Sequence, residues 1–306
     1  MEDMKVLDLF CGAGGFSSGF AKSGFEVTGV DIQKDAEITF RSNVKGKFIN
    51  ADLSRTLVKG NYNIVIGGPP CRPWSSVNTT RRGKTHKDYA LLSVFFKHVI
   101  TIKPKMFILE NVPLLNNQKT LQWHINHLSK TYGYDIRKEI ITYSDYGAST
   151  KRRRLIVSGV QKSDSDYFFD VLSTYKKQCM TVKDVIWSLR SKTNGEVRDH
   201  QWPNLNTIYK YMEYYKSGKF GWYILKWEQP APSFGNVMKT YILHPDSLKV
   251  GKPRVISVKE AGLIMGFGEK FLFSKDIGLG RKYQMIVDSV SPVVSYAMAK
   301  AVKDLI

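Results

Sequence analysis

Cysteine is scarce: the 306-residue chain has three. So small and odd a number in a long chain argues against a disulfide scaffold and fits a reducing cytosol. Histidine is scarce too, with six residues scattered along the chain. His124 and His127 share a helical face, but no third ligand lies near them in sequence, so no metal site is expected. No apolar run reaches the length of about 18 residues that a membrane span needs. The start, MEDMKVLDLF, lacks the charge pattern of a signal peptide and enters a strand at once. Acidic residues are the last shortage. Asp and Glu number 27 against 46 Lys and Arg, which leaves a net charge of +19. Folding does not need that excess, and its field attracts polyanions, so nucleic acid is the expected partner.

Hydrophobic residues make up 42% of the chain, enough for a sizeable core. In the first half, strand-like and helix-like patterns alternate. Strands are expected over 5–10, 26–31, 47–50, 62–67, 106–110, 136–143 and 154–160. Helices are expected over 15–23, 35–42, 90–102 and 121–132. That rhythm implies βαβ units and an α/β fold: a doubly wound, mostly parallel sheet covered on both faces. Ligands of such sheets bind beyond the carboxyl ends of the strands. From 161 to 253 the rhythm stops and aromatics crowd in, among them Trp187, Trp202, Tyr211, Trp222 and Trp227. This stretch reads as a second, smaller and irregular domain, whose aromatics suit a small core better than a base-stacking platform. Helical patterning returns over 257–266 and 291–304, where Val293, Val294, Ala297, Ala301 and Val302 fall on one face.

Gly12, Gly14 and Gly15 follow the first strand in DLFCGAGGFSSGF, ahead of a helix. Glycines there permit a tight turn and a close backbone approach to a ligand. Asp31 ends the next strand, about 20 residues on, where an acid bonds ribose hydroxyls. Asp52, in NADL after the third strand, can reach an adenine amino group. Loop and acids together suggest an adenosine-bearing cofactor. The loop has no phosphate-cradling Lys of the P-loop kind, which argues against ATP.

Cys71 stands in GGPPCRPWSS, just past the fourth strand, with prolines on either side that stiffen its backbone. Glu110 ends the fifth strand in ENV. A nucleophilic thiol beside a carboxylate that bonds a heterocycle is an attack pair; a buried structural cysteine is the alternative. YGASTKRRRLIVSG sets Arg152 and Arg154 two apart at the mouth of a strand, on one face by alternation. Guanidiniums there can hold a base carbonyl and a phosphate, or form a solvated strand end. The loop after Cys71 is polar, basic and long, and Arg81, Arg82, Lys84 and Lys87 read as phosphate-facing.

Taken in order, these blocks resemble those of the cytosine-5 DNA methyltransferases that depend on S-adenosylmethionine, across nearly the whole chain. Phe10-Cys11-Gly12-Ala13-Gly14-Gly15 is similar to the family's cofactor loop, Pro70-Cys71 to its nucleophile loop and Glu110-Asn111-Val112 to its carboxylate element. RVISVKEAGLIMGF (254–267) and YQMIVDSVSPVVSYAMAKAV (283–302) resemble its last two blocks. Departures are present as well. Arg72 and Thr150 stand where Gln is usual, Ile32 where an aromatic is, and Leu263 where Arg is. Val287-Asp288-Ser289-Val290 replaces Gly-Asn-Ser-Val.

The resemblance implies a Rossmann-like methyltransferase of the bacterial or archaeal modification type. Residues 1–160 plus 280–306 would form the catalytic and cofactor-binding domain, with the final helix packed back onto it. Residues 161–279 would form the target-recognition domain. S-adenosylmethionine would meet Phe10, Gly12, Gly14, Gly15, Asp31, Ile32, Asp52, Leu53, Pro70, Leu91, Asp288 and Ser289, with no metal. Cys71 would attack C6 of a cytosine flipped out of duplex DNA. Glu110 would hold N3 and the exocyclic amine, Arg154 the base O2, and Arg152 a neighbouring phosphate or Glu110 itself. Arg72, Ser75, Arg81, Arg82, Lys84 and Lys87 would contact DNA. Implied besides are a cognate restriction endonuclease and a monomer in the cytoplasm, associated with the nucleoid of a prokaryote. Two rival readings are a tRNA methyltransferase of the same fold and a silent nucleic-acid-binding protein; intact Cys71 and Glu110 oppose the second.

Overall fold

The first strand, β1 (Lys5–Leu9), reads KVLDL and is buried from Val6 onward. A strand buried on both sides suits the middle of a sheet with helices on each face. The computed structural model puts it there, describing residues 4–71, 86, 88–161, 166–205, 207–218, 221–239, 241–248 and 253–305. The chain continues through α1 (Gly15–Lys22), β2 (Glu26–Asp31), α2 (Lys34–Asn43), β3 (Gly46–Asn50) and β4 (Ile64–Gly67). Then come α3 (Leu91–Ile102), β5 (Met106–Asn111), α4 (Lys119–Tyr132), β6 (Tyr134–Thr142), β7 (Arg153–Gln161) and α5 (Asp166–Thr174). Beyond them lie α6 (Val182–Ile186), α7 (Thr207–Lys210), α8 (Met212–Lys216), α9 (Val258–Ile264), α10 (Leu279–Asp288) and α11 (Pro292–Leu305).

The strands run in the order β3-β2-β1-β4-β5-β7-β6. β1 to β5 pair parallel, while β7 runs antiparallel to both β5 and β6. The link from Thr142 to Arg153 is shorter than a parallel crossover needs, so β7 returns as a hairpin. The sheet is therefore mixed at this end. Strand order reverses between β1 and β4, and both the glycine loop and the Cys71 segment leave from that switch point. Crevices for ligands form there in open α/β sheets.

Alternation along the strands divides the core in two. Val6, Ile64, Ile66, Met106, Ile108 and Ile156 face the helices α1, α5, α10 and α11. Leu7, Leu9, Val65, Phe107, Leu109 and Val157 face α3 and α4. α11 lies directly on α1, as the resemblance implies. A Cβ on Gly19 would sit 2.2 Å from the Tyr296 nitrogen, and the Ser295 hydroxyl donates to the Phe16 carbonyl. Residues 279–305 are long and apolar enough to cross a membrane, but most of that surface is buried in this core.

Between α5 and α9 the described residues form short helices and isolated bridges, such as Ile224 beside Leu243 and Leu243 beside Val255. Among the described residues this region has no separate core: Ile208, Tyr215, Leu225, Ile242 and Val255 join the cluster that holds Val6 and Ile64. Trp202, Tyr211, Trp222 and Trp227 pack against this shared cluster and not in a small core of their own, while Trp187 and Tyr209 stay exposed. α5 packs on α11, so the first part of the irregular stretch lies with the sheet layers.

Candidate active site

The glycine loop turns through the left-handed region at Phe10 (φ 61°), Gly12 (φ 51°) and Gly14 (φ 84°). Such a backbone is strained for a phenylalanine, and strain of this kind collects at binding sites. Asp31 secures the turn: its Oδ2 accepts from the Gly12 nitrogen and its Oδ1 from the Gln33 nitrogen, each at 3.0 Å. Burial raises its pKa, opposed by these backbone bonds. Beside it Ile32 is 58% exposed, and a Cβ on Gly12 would meet nothing within 4 Å. An open cradle between a carboxylate and a bare apolar side chain fits a nucleoside, with ribose on the acid and base on the isoleucine. Asp52 is held in a local turn, Oδ1 accepting from the Ser54 nitrogen at 2.9 Å and the Ser54 hydroxyl at 2.6 Å. Leu53 is buried behind it, and Leu91 opens α3 half-buried. Gly15 leaves no space: a Cβ there would lie 2.3 Å from the Val290 carbonyl and 2.9 Å from the Ser289 Cβ. That contact brings the turn with Asp288 and Ser289 against the loop.

On the other side of the switch point, Asn111 donates from Nδ2 to the Pro69 carbonyl at 3.0 Å and so fixes the segment leading to Pro70 and Cys71. Cys71 is free and half-buried. Burial pushes its thiol up, the Arg154 charge pulls it down, Glu110 and Asp288 push it up again, and Arg152 pulls it down. The four charged groups expected around the thiol, or beside the cofactor loop, thus converge on it. Glu110 sits opposite Ile156 of β7, and Arg154 lies two residues earlier on the same face. The Arg154 Nε is 3.0 Å from Glu110 Oε1, and that oxygen also accepts from the Tyr143 phenol at 3.0 Å.

Arg152 corrects an expectation. It does not pair with Glu110; its Nη2 donates to the Val287 carbonyl at 2.5 Å, and among the described residues its buried Nε has no partner. It precedes β7, so its guanidinium reaches the end of α10 while Arg154, within the strand, takes the carboxylate. Tyr143 and Asn111 are the site residues that motif reading missed. Arg72, Ser75, Arg81, Arg82, Lys84 and Lys87 lie outside the described residues. His124 is a core histidine, bonded to the Ser93 hydroxyl at 2.9 Å and stacked on Phe96, and burial lowers its pKa to about 4.

A profile of the C-5 cytosine-specific DNA methylases matches residues 4–304. Type II methyltransferase M.FnuDI of Fusobacterium nucleatum is 27% identical, over 98% of this chain and 94% of that protein. Type II methyltransferase M.HgiDI of Herpetosiphon aurantiacus is 29% identical, over 95% of this chain and 91% of that protein. Among solved structures, the Entamoeba histolytica methyltransferase EhMeth shares the fold, with a TM-score of 0.75 at 19% identity and 100% of both chains covered.

Proposed function

This chain belongs to the C-5 cytosine-specific DNA methylase family, and on that footing we propose that it methylates C5 of a cytosine flipped out of a specific duplex DNA sequence, through a covalent Cys71 adduct. As a member it is a DNA cytosine-5-methyltransferase. The observation that carries the finer reading is the meeting of Cys71, Glu110 and Arg154 beside the glycine loop at the switch point. S-adenosylmethionine, when bound, supplies an electrophilic methyl group on its sulfonium. Phe10, Gly12, Gly14, Gly15, Asp31, Ile32, Asp52, Leu53, Pro70, Leu91, Asp288 and Ser289 are the residues we assign to holding it.

Flipping the base costs roughly a few kcal/mol of stacking and pairing. Burial keeps the resting thiol protonated, while the Arg154 and Arg152 charges favour the thiolate. Sulfur bonds to C6, the C5–C6 electron pair becomes nucleophilic at C5, and N3 takes a proton from Glu110. Arg154 holds Glu110 and the base O2. Arg152 adds its charge and holds the end of α10. After methylation the C5 proton leaves, its electron pair restores the double bond, and sulfur is expelled. We assign target recognition to the region between α5 and α9. We also propose a restriction–modification setting with a restriction endonuclease as partner, a reading that the names of the type II relatives support. A monomer inside the cell, acting on DNA, is the working unit we infer.

The test is Cys71→Ser, since a hydroxyl is a poor nucleophile here and the cofactor contacts lie elsewhere. Methyl transfer to duplex DNA is abolished and S-adenosylmethionine affinity stays within a few-fold. Duplex carrying 5-fluorocytosine traps the wild type in a complex that survives denaturation, because no C5 proton can leave. Turnover by the serine variant within tenfold of wild type, or no trapping, overturns the covalent route.

A further inference from the structure

Tyr143 stands where β6 turns back toward β7, with no exposed surface. A tyrosine in a core is costly unless its hydroxyl finds a partner. The partner is Glu110, whose Oε1 accepts the phenol at 3.0 Å. The Tyr143 backbone nitrogen donates to the Arg152 carbonyl at 2.9 Å. One residue therefore couples the carboxylate to the arginine segment. Arg154 meets the same oxygen, Oε1, at 3.0 Å. Oε1 thus has a hydrogen-bond donor and an ion-pair partner; among the described residues Oε2 accepts no hydrogen bond. Oε2 lies toward the Cys71 segment, 3.3 Å from where a Cβ on Gly68 would be. Burial, and then the charge of Glu110, holds the phenol far above its usual range, so Tyr143 stays a donor.

We propose that Tyr143 is a positioning residue for methyl transfer: with Arg154 it ties Oε1 of Glu110 and leaves Oε2 to exchange a proton with the target base. This rests on the role given to Glu110 above. When sulfur bonds to C6, the proton on Oε2 passes to N3. Glu110 is left a carboxylate whose charge on Oε1 is met by the phenol and the guanidinium. When sulfur leaves, the N3 proton returns to Oε2. The phenol and the guanidinium stabilise the ionised form and fix which oxygen works.

The experiment compares kcat and KM for wild type, Glu110→Gln and Tyr143→Phe, with melting temperature and S-adenosylmethionine affinity measured alongside. Glu110→Gln, which has no proton to give to N3, loses nearly all turnover. In Tyr143→Phe kcat falls about tenfold with KM for DNA and cofactor nearly unchanged, since only orientation is lost. A single 3-fluorotyrosine at 143 keeps the ring and makes the phenol a stronger donor. It changes kcat at constant KM and melting temperature, and it decides the matter if the phenylalanine variant does not fold. A kcat that stays at the wild-type value with either folded replacement overturns the proposal while Glu110 keeps its role. A Glu110→Gln enzyme that keeps wild-type turnover overturns both.

Discussion

Asp8 is a carboxylate with no good place for its charge. It is 1% exposed on β1, its Oδ2 accepts from the Ser17 hydroxyl at 2.5 Å, and among the described residues its Oδ1 has no partner. Burial lifts its pKa from 3.8 to about 7, against the Ser17 bonds that lower it. Between those two values the folded chain keeps a proton that the unfolded chain has released. Stability contributed at Asp8 is therefore full below pH 4 and is lost as pH rises toward 7, by up to about 1.4 kcal/mol per pH unit. Asp8→Asn keeps the shape and the acceptor for Ser17 and carries no charge. The variant accordingly melts above wild type at pH 8, and the gap narrows toward pH 4. Melting curves for both proteins across that range are the check; a gap that does not change with pH means Asp8 ionises there without cost. The position matters to function because Ser17 lies on α1, directly behind the glycine loop.

At the scale of elements, the site is held together by α11 lying on α1. Gly19 marks the closest approach, since an added Cβ would meet backbone atoms of Ser295 and Tyr296 at 2.3 and 2.2 Å. Neither can give way unless α11 shifts, and the turn carrying Asp288 and Ser289 shifts with it. Gly19→Ala therefore costs about 1–3 kcal/mol of overpacking and weakens cofactor affinity as well. Gly280, within α10, is the contrast: its Cβ would meet only the Met238 side chain at 3.8 Å. Gly280→Ala should add up to about 1 kcal/mol of helix stability. Urea titrations of the two variants measure both, and equal effects would mean the helix contact is loose. Elements of this kind differ in how far the sequence reveals them. β1, β2, β4 and β5 are legible because each is a short apolar run with a helix as the next element or close behind it. Arg152 and Arg154 are legible as a pair on one face, but which one meets Glu110 depends on the β5–β7 register, which no local pattern encodes. α10 hides behind the Gly278-Leu279-Gly280 start, where glycine weakens the helix signal. Tyr143 stays hidden because its contact with Glu110 crosses the sheet.

At the scale of the whole molecule, the region to which we assign target recognition is joined to the chemistry by backbone bonds. The Ala231 nitrogen donates to the Ser149 carbonyl at 2.8 Å, and the Lys151 nitrogen donates to the Ala231 carbonyl at 2.8 Å. Ser149 and Lys151 lie three residues and one residue before Arg152. The same region carries exposed Trp187, with Lys183 at 5.3 Å and Arg190 at 4.8 Å from its ring. Part of the net charge of +19 is thus displayed here, where phosphates would be gathered without regard to sequence. On that assignment, sequence choice comes from base-edge contacts made by this region or from the DNA shape it accepts. Grafting 175–253 into a relative of different specificity should therefore move the methylated sequence with it. The junction belongs after Thr174, because α5 packs on α11 and stays with the recipient. Turnover of the hybrid should fall, since the grafted piece shares one continuous core with the sheet and its buried side chains meet foreign neighbours. Sequencing the methylated cytosines in DNA from cells that express the hybrid reads out both effects. An active hybrid that still marks the recipient's old site would place recognition outside this region, and the bonds at Ala231 would then serve only to brace the arginine strand.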